Sequence, residues 1–123
     1  MSSSVFLSLN GQSIANNSYV DVNDIGEYDD ALLCHTDKPD CCNPYYGYGL
    51  RVGEWYYPNG SRVGTQGGYQ DEFYRNRGAQ IVRLNRRQGT FTARGLFRCE
   101  VPDASGIIQT VFVNIIGMYT VII

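Results

Sequence analysis

The chain has 123 residues, is 43% hydrophobic and 18% charged, and carries ten Tyr, 14 Gly and four Cys at a formal net charge of −2. One domain is expected at this length, and the aromatic content with so small a net charge excludes a solvated, disordered chain. The longest apolar stretch, Ile107 to Ile123, is broken by Gln109, Thr110, Asn114, Gly117 and Thr120, so it reads as strand and no membrane insertion is expected.

Taken in chain order, Met1-Ser2-Ser3-Ser4 shows no basic segment followed by a long apolar one, so no secretory leader is read there. Short runs rich in β-branched and aromatic residues then recur between clusters of Gly, Pro, Asn and Asp, the pattern of an antiparallel all-β sandwich or barrel. The expected strands are Val5–Leu9, Tyr19–Val22, Ala31–His35, Gly53–Tyr57, Arg62–Val63, Glu72–Arg75, Gln80–Asn85, Gly95–Val101 and Ile107–Ile116. Pro58-Asn59-Gly60 and Pro102-Asp103-Ala104-Ser105-Gly106 supply a fixed φ followed by residues tolerant of positive φ, so both predict tight hairpins. Gly64–Gly68 reads as a glycine-rich linker. The whole chain, 1–123, is taken as one domain with a core over about residues 18–116, and 117–123 as tail or linker.

Period-2 alternation assigns the faces. Gly95, Phe97, Cys99 and Val101 share one parity and face a core, leaving Leu96, Arg98 and Glu100 outside. Leu32 with Cys34, Val82 with Leu84, and Val111, Val113 and Ile115 also point inward. Trp55 shares its face with Gly53 and Tyr57, and Glu54 and Tyr56 face out.

Charge is unevenly placed: seven of the twelve acidic residues lie between Asp21 and Asp40, and seven of the nine Arg between Arg75 and Arg98. The basic stretch includes Phe73, Tyr74 and Phe91, as a nucleic-acid surface would, but its alternation fits a strand with a solvated face and the acidic balance opposes phosphate binding. No nucleic-acid partner is expected. His35 is the only histidine and lies opposite Cys34 on the outer face of its strand, where it reads as a surface residue rather than part of a triad. Asp29-Asp30 and Asp71-Glu72 are sequence neighbours that point to opposite faces of a strand, so they make poor acid–base pairs. Gly64-Thr65-Gln66-Gly67-Gly68 lacks the Lys-Ser/Thr and helix of a phosphate cradle. Zinc would need Cys34, His35, Cys41 and Cys42, in which adjacent cysteines cannot easily reach one tetrahedral centre. No catalysis, metal or cofactor is expected.

Leu32-Leu33-Cys34, then Trp55, then Gly95-Leu96-Phe97-Arg98-Cys99-Glu100-Val101 resembles the immunoglobulin domain, of variable-like or intermediate type, over roughly Ser18 to Ile116. That resemblance implies a two-sheet antiparallel Greek-key sandwich in which Cys34 on strand B bonds Cys99 on strand F, with Trp55 of strand C packed against the bridge. Such a bridge closes about 65 residues and would be worth ~4 kcal/mol on chain-entropy grounds. Where the family commonly has Asp-x-Gly-x-Tyr-x-Cys, this chain has Ala93, Gly95, Phe97 and Cys99, so neither the tyrosine-corner hydroxyl nor the carboxylate that pairs with an Arg near strand D is supplied there. A long insert separates Cys34 from Trp55. Cys41-Cys42 and Gly-Glu-Trp-x-Tyr-Pro-Asn-Gly also look like modules of extracellular proteins of early-branching animals.

Two surfaces are candidates for recognition. The insert carries Tyr45, Tyr46 and Tyr48 among Gly and Asn, a composition that gives large contact area at low entropic cost, and it falls where the family's first hypervariable loop lies; the same tyrosines could simply cover the end of the sandwich. The outer face of strands C and F carries Glu54, Tyr56, Arg98 and Glu100, a pairing face in variable-like domains or a solvated ion-pair ladder. Cys41 and Cys42 are open to a second, vicinal disulfide, a bond to a partner chain, or free thiols. Asn16-Asn17-Ser18 and Asn59-Gly60-Ser61 are sequons that place glycans on Asn16 and Asn59. The expected role is a non-enzymatic extracellular or cell-surface module, a monomer or weak homodimer, binding a protein ligand or another copy of itself as part of a larger protein. A spacer domain without a ligand and an intracellular muscle-type immunoglobulin domain are the alternatives.

Overall fold

Alternating side chains decide the architecture. In a computed structural model of the chain, described over residues 5–36, 53–65, 72–77, 81–87, 93–102 and 107–117, ten strands form: β1 (Val5–Leu9), β2 (Gln12–Ile14), β3 (Ser18–Asp21), β4 (Leu32–Thr36), β5 (Glu54–Tyr56), β6 (Gly64–Thr65), β7 (Phe73–Arg77), β8 (Ile81–Arg86), β9 (Gly95–Pro102) and β10 (Ile108–Ile116). They make a six-stranded sheet, β2-β1-β4-β8-β7-β6, and a four-stranded sheet, β3-β10-β9-β5. The fold is an all-β sandwich, and the chain passes repeatedly from one sheet to the other, as a sandwich with long-range strand pairing requires. Among the described residues no helix is long and apolar enough to cross a membrane.

The assigned faces hold. Cys34, Val82, Leu84 and Leu7 of the larger sheet meet Trp55, Phe97, Cys99, Val101, Val113 and Ile115 of the smaller one in a single buried cluster. At its centre Cys34 and Cys99 are disulfide-bonded, with Cα atoms 6.5 Å apart. Trp55 lies directly opposite Cys99 in the β5–β9 ladder, and its indole Nε1–H crosses the sandwich to donate to the Val82 carbonyl at 3.1 Å. A buried indole needs such an acceptor, because its lone donor has no water.

Three features differ from the sequence reading. The core starts ahead of residue 18, because Leu7 on β1 is buried and β1 pairs with β4. Strand β2 was not expected, although Asn10 (φ 52°) and Gly11 (φ 77°) supply the two positive φ values of a two-residue type I′ hairpin between Leu9 and Gln12. The sheets are also not purely antiparallel: β3 runs parallel to β10, Ser18 opposite Val113 through Asp21 opposite Ile116, and β6 runs parallel to β7. The second pair takes Gly64 and Thr65 out of the expected linker, while Arg62 makes only an isolated bridge to Tyr56.

Local contacts form where Phe97 lacks a hydroxyl and Ala93 a carboxylate. Phe97 has no hydroxyl, but its ring sits 5.5 Å from that of Tyr57 and 5.4 Å from that of Phe73. The Tyr57 hydroxyl instead accepts from the Phe73 N–H at 3.4 Å. Arg75 of β7, which finds no carboxylate at Ala93, pairs with Glu54 of β5 at 2.6 Å and donates to the Val63 carbonyl at 2.5 Å. The Ala93 N–H donates to Glu72 Oε2 at 2.6 Å. The Arg75–Glu54 pair joins β7 of the larger sheet to β5 of the smaller one.

Gly53 is required by space rather than by φ. A Cβ there would lie 2.2 Å from Val82 Cγ2 and 3.2 Å from the Glu100 carbonyl. Gly53→Ala must therefore push apart the floor under Trp55, and it is expected to destabilise the domain by about 1–3 kcal/mol, read as a lower urea midpoint at unchanged m-value. An unchanged midpoint would show that Val82 can yield without cost.

Candidate functional site

The outward positions of the four-stranded sheet form a continuous surface because its strands pair in register. Tyr56 lies opposite Arg98, and Arg98 lies opposite Phe112. One step along, Leu96 lies opposite Asn114 and Asn114 opposite Tyr19, with Ile116 beside Asp21 at the end. These residues have the parity opposite to Phe97, Val113 and Val20, which are buried. The guanidinium carbon of Arg98 stands 4.3 Å above the Tyr56 ring, and its Nε is 3.9 Å from Glu100 Oε1. That stacking fixes a long side chain flat on the sheet and leaves its charge at the surface.

This face is more apolar than Tyr56, Arg98 and Glu100 alone suggest. Tyr19 is 72% exposed, Ile116 44% and Leu96 43%, and Phe112 is half-buried beside them. Three of the six large hydrophobic residues exposed among the described residues, Tyr19, Leu96 and Ile116, thus lie on one sheet face. The period-2 pattern of β10 carries this signal: of its outward set, Ile108, Thr110, Phe112, Asn114 and Ile116, three are apolar. Glu54 departs from the expected ladder. It sits opposite Glu100, a like charge, and its carboxylate reaches Arg75 at 2.6 Å and Arg62 at 3.8 Å. Glu54 therefore braces the sandwich, and the candidate face comprises Tyr56, Arg98 and Glu100 with the apolar neighbours Tyr19, Leu96, Phe112 and Ile116.

His35 is half-buried rather than freely exposed, its ring 5.8 Å from that of Phe6 and its Nδ1 3.0 Å from the Thr36 carbonyl oxygen. The two sequons lie on exposed turns. Asn16 Oδ1 accepts from the Phe112 N–H at 2.7 Å, and Asn59 Oδ1 accepts from the Ser61 N–H at 2.9 Å and the Ser61 hydroxyl at 2.6 Å. Both sets of bonds use the amide oxygen, whereas a glycan is carried by the nitrogen. Cys41, Cys42, Tyr45, Tyr46 and Tyr48 lie outside the described residues. Among the described residues no three His, Cys, Asp or Glu side chains cluster as a metal site.

A scan against known protein families and a search of curated proteins returned no match to this chain.

Proposed function

We propose that this chain is an immunoglobulin-like module that recognises protein through the outer face of the β3-β10-β9-β5 sheet, in an extracellular or cell-surface setting and without catalysis. The observation that carries the reading is the co-location of Tyr19, Leu96, Phe112 and Ile116 with the stacked Tyr56–Arg98 pair on one sheet face. An apolar surface anchored by an aromatic and an arginine has the make-up of an interface centre, where desolvated side chains of these types supply most of the binding energy. The immunoglobulin resemblance is supported by the bridge from Cys34 to Cys99 with Trp55 opposite it. A buried disulfide also suits an oxidising compartment. The Tyr45, Tyr46 and Tyr48 insert is a second contact surface under the same reading.

Beads coated with the chain are expected to adhere to one another or to cells that display the ligand. Leu96→Glu combined with Ile116→Lys should reduce that adhesion at least tenfold while leaving thermal stability nearly unchanged, because both side chains are solvent-facing. Tyr45→Ala, Tyr46→Ala and Tyr48→Ala together report separately on the insert. Equal adhesion by wild-type and all variant beads would remove recognition by either surface and leave the spacer role.

A further inference from the structure

On the opposite side of the sandwich, a polar cleft of about 500 Å³ is lined by Glu27, Tyr28, Asp29, Tyr74, Asn76 and Arg83. Its floor is sheet: Tyr74 and Asn76 on β7 and Arg83 on β8 have the parity opposite to buried Phe73, Arg75, Val82 and Leu84. Its wall is the loop between the short 3-10 turn Val22–Asp24 and β4. That wall is held by its backbone. Asn85, fully buried beneath the loop, donates from Nδ2 to the Tyr28 carbonyl at 2.7 Å and reaches the Gly26 carbonyl at 3.5 Å. The Arg86 N–H donates to the Gly26 carbonyl at 2.9 Å, and the Tyr74 hydroxyl donates to the Glu27 carbonyl. The Gly26 N–H closes the loop on the Asp30 carbonyl at 2.8 Å. The loop backbone is thus fixed by bonds that leave the Glu27 and Asp29 carboxylates unused.

The charges lining the cleft are of both signs and are not spent on each other. Arg83 is half-buried, and no carboxylate among the described residues lies within 4.0 Å of its guanidinium, nor any cation that close to the carboxylates of Glu27 or Asp29. Elsewhere on this domain opposite charges in reach do pair, as in Glu54 with Arg75. A simple cation entering the cleft would meet two carboxylates but also Arg83, and a simple anion would meet Arg83 but also two carboxylates. A molecule with an ammonium at one end and a carboxylate at the other satisfies both, and Tyr28 and Tyr74 add aromatic side chains to the lining.

We infer that this cleft binds a small zwitterion of the free amino-acid or short-peptide class, its ammonium toward Glu27 and Asp29 and its carboxylate toward Arg83. The volume is inside the span of about 300–1,000 Å³ typical of small-ligand sites. Burial, with the nearby Tyr28 and Glu27 charges adding to it and Arg87 opposing it, holds the Tyr74 hydroxyl above its ordinary pKa, so it remains a neutral donor clipping the loop. The site is independent of the recognition face and stands or falls without it.

The test is an NMR titration of the full chain with glycyl-phenylalanine, its N-acetyl derivative and its C-terminal amide. The free dipeptide is expected to give saturable shifts at the cleft resonances with a Kd of about 1 mM or tighter, and either blocked form at least tenfold weaker binding. Arg83→Gln should erase the preference for the free dipeptide over the amide, and Glu27→Gln with Asp29→Asn should erase its preference over the acetylated form. Equal binding of the amide by the wild-type chain would make this a plain cation site and overturn the inference. Equal binding of the acetylated form would make it an anion site and do the same, as would the absence of any saturable shift.

Discussion

Replacing Cys34 and Cys99 together by alanine is expected to lower the free energy of unfolding by about 4 kcal/mol. The bridge spans 65 positions of sequence, so without it the unfolded chain recovers the freedom of a closed loop of that length. Native-state losses add to this, because both sulfurs are fully buried at the contact between the sheets and two alanines leave part of that volume empty. For a domain of ordinary marginal stability this is a large fraction of the total. Urea unfolding of the oxidised chain and the double variant measures it directly. A midpoint that does not move would mean that the unfolded state keeps its own compaction around the core.

Trp55→Ala is expected to cost about 3–5 kcal/mol, comparable to losing the bridge, and for different reasons. The side chain is the largest of the fully buried ones, so alanine opens a cavity in the centre of the sandwich. It also strips the Val82 carbonyl of the indole donor that reaches it from the other sheet. Trp55→Phe separates the two effects, since a ring is retained but the donor is not; it should recover more than half of the loss. Because Trp55 stands opposite Cys99 in the ladder, the tryptophan and disulfide variants share neighbours and their effects should not add. A triple variant whose loss equals the simple sum would show that the two act independently.

Much of this sandwich was legible from alternation alone. The inward sets of β4, β8, β9 and β10 follow directly from residue parity, because a strand with one buried face must place its apolar residues at every second position. Strand pairing across long separations was not legible in that way. Nothing local in Ser18–Asp21 says that it will lie parallel to residues near the other end of the chain, nor in Gly64–Thr65 that it will extend the larger sheet. The contacts of Glu72 with the Ala93 amide and of Glu54 with Arg75 were hidden for the same reason, since only the packed structure brings these residues together. Two signals were present in the sequence and unused. Asn10-Gly11 specifies a hairpin by its backbone needs alone, and three of the five outward residues of β10, Ile108, Phe112 and Ile116, are apolar. The cleft was invisible because Asn85, an ordinary polar residue at an outward position, draws a loop from about 57 residues away over the sheet.

The parallel pairing of β3 with β10 has a mechanical consequence. Tension that draws the chain backwards from Ser18 and forwards from Ile116 slides these two strands past one another along their length. Their hydrogen bonds, together with the side-chain bond from Asn16 to the Phe112 amide, then share the load at the same instant. An antiparallel hairpin pulled from its open end would instead part bond by bond. In a protein stretched between neighbours, this short parallel seam would take the load once β1 and β2, which precede it in the chain, had been drawn from the larger sheet, and the Cys34–Cys99 bond would limit how much chain could be released once it gave way.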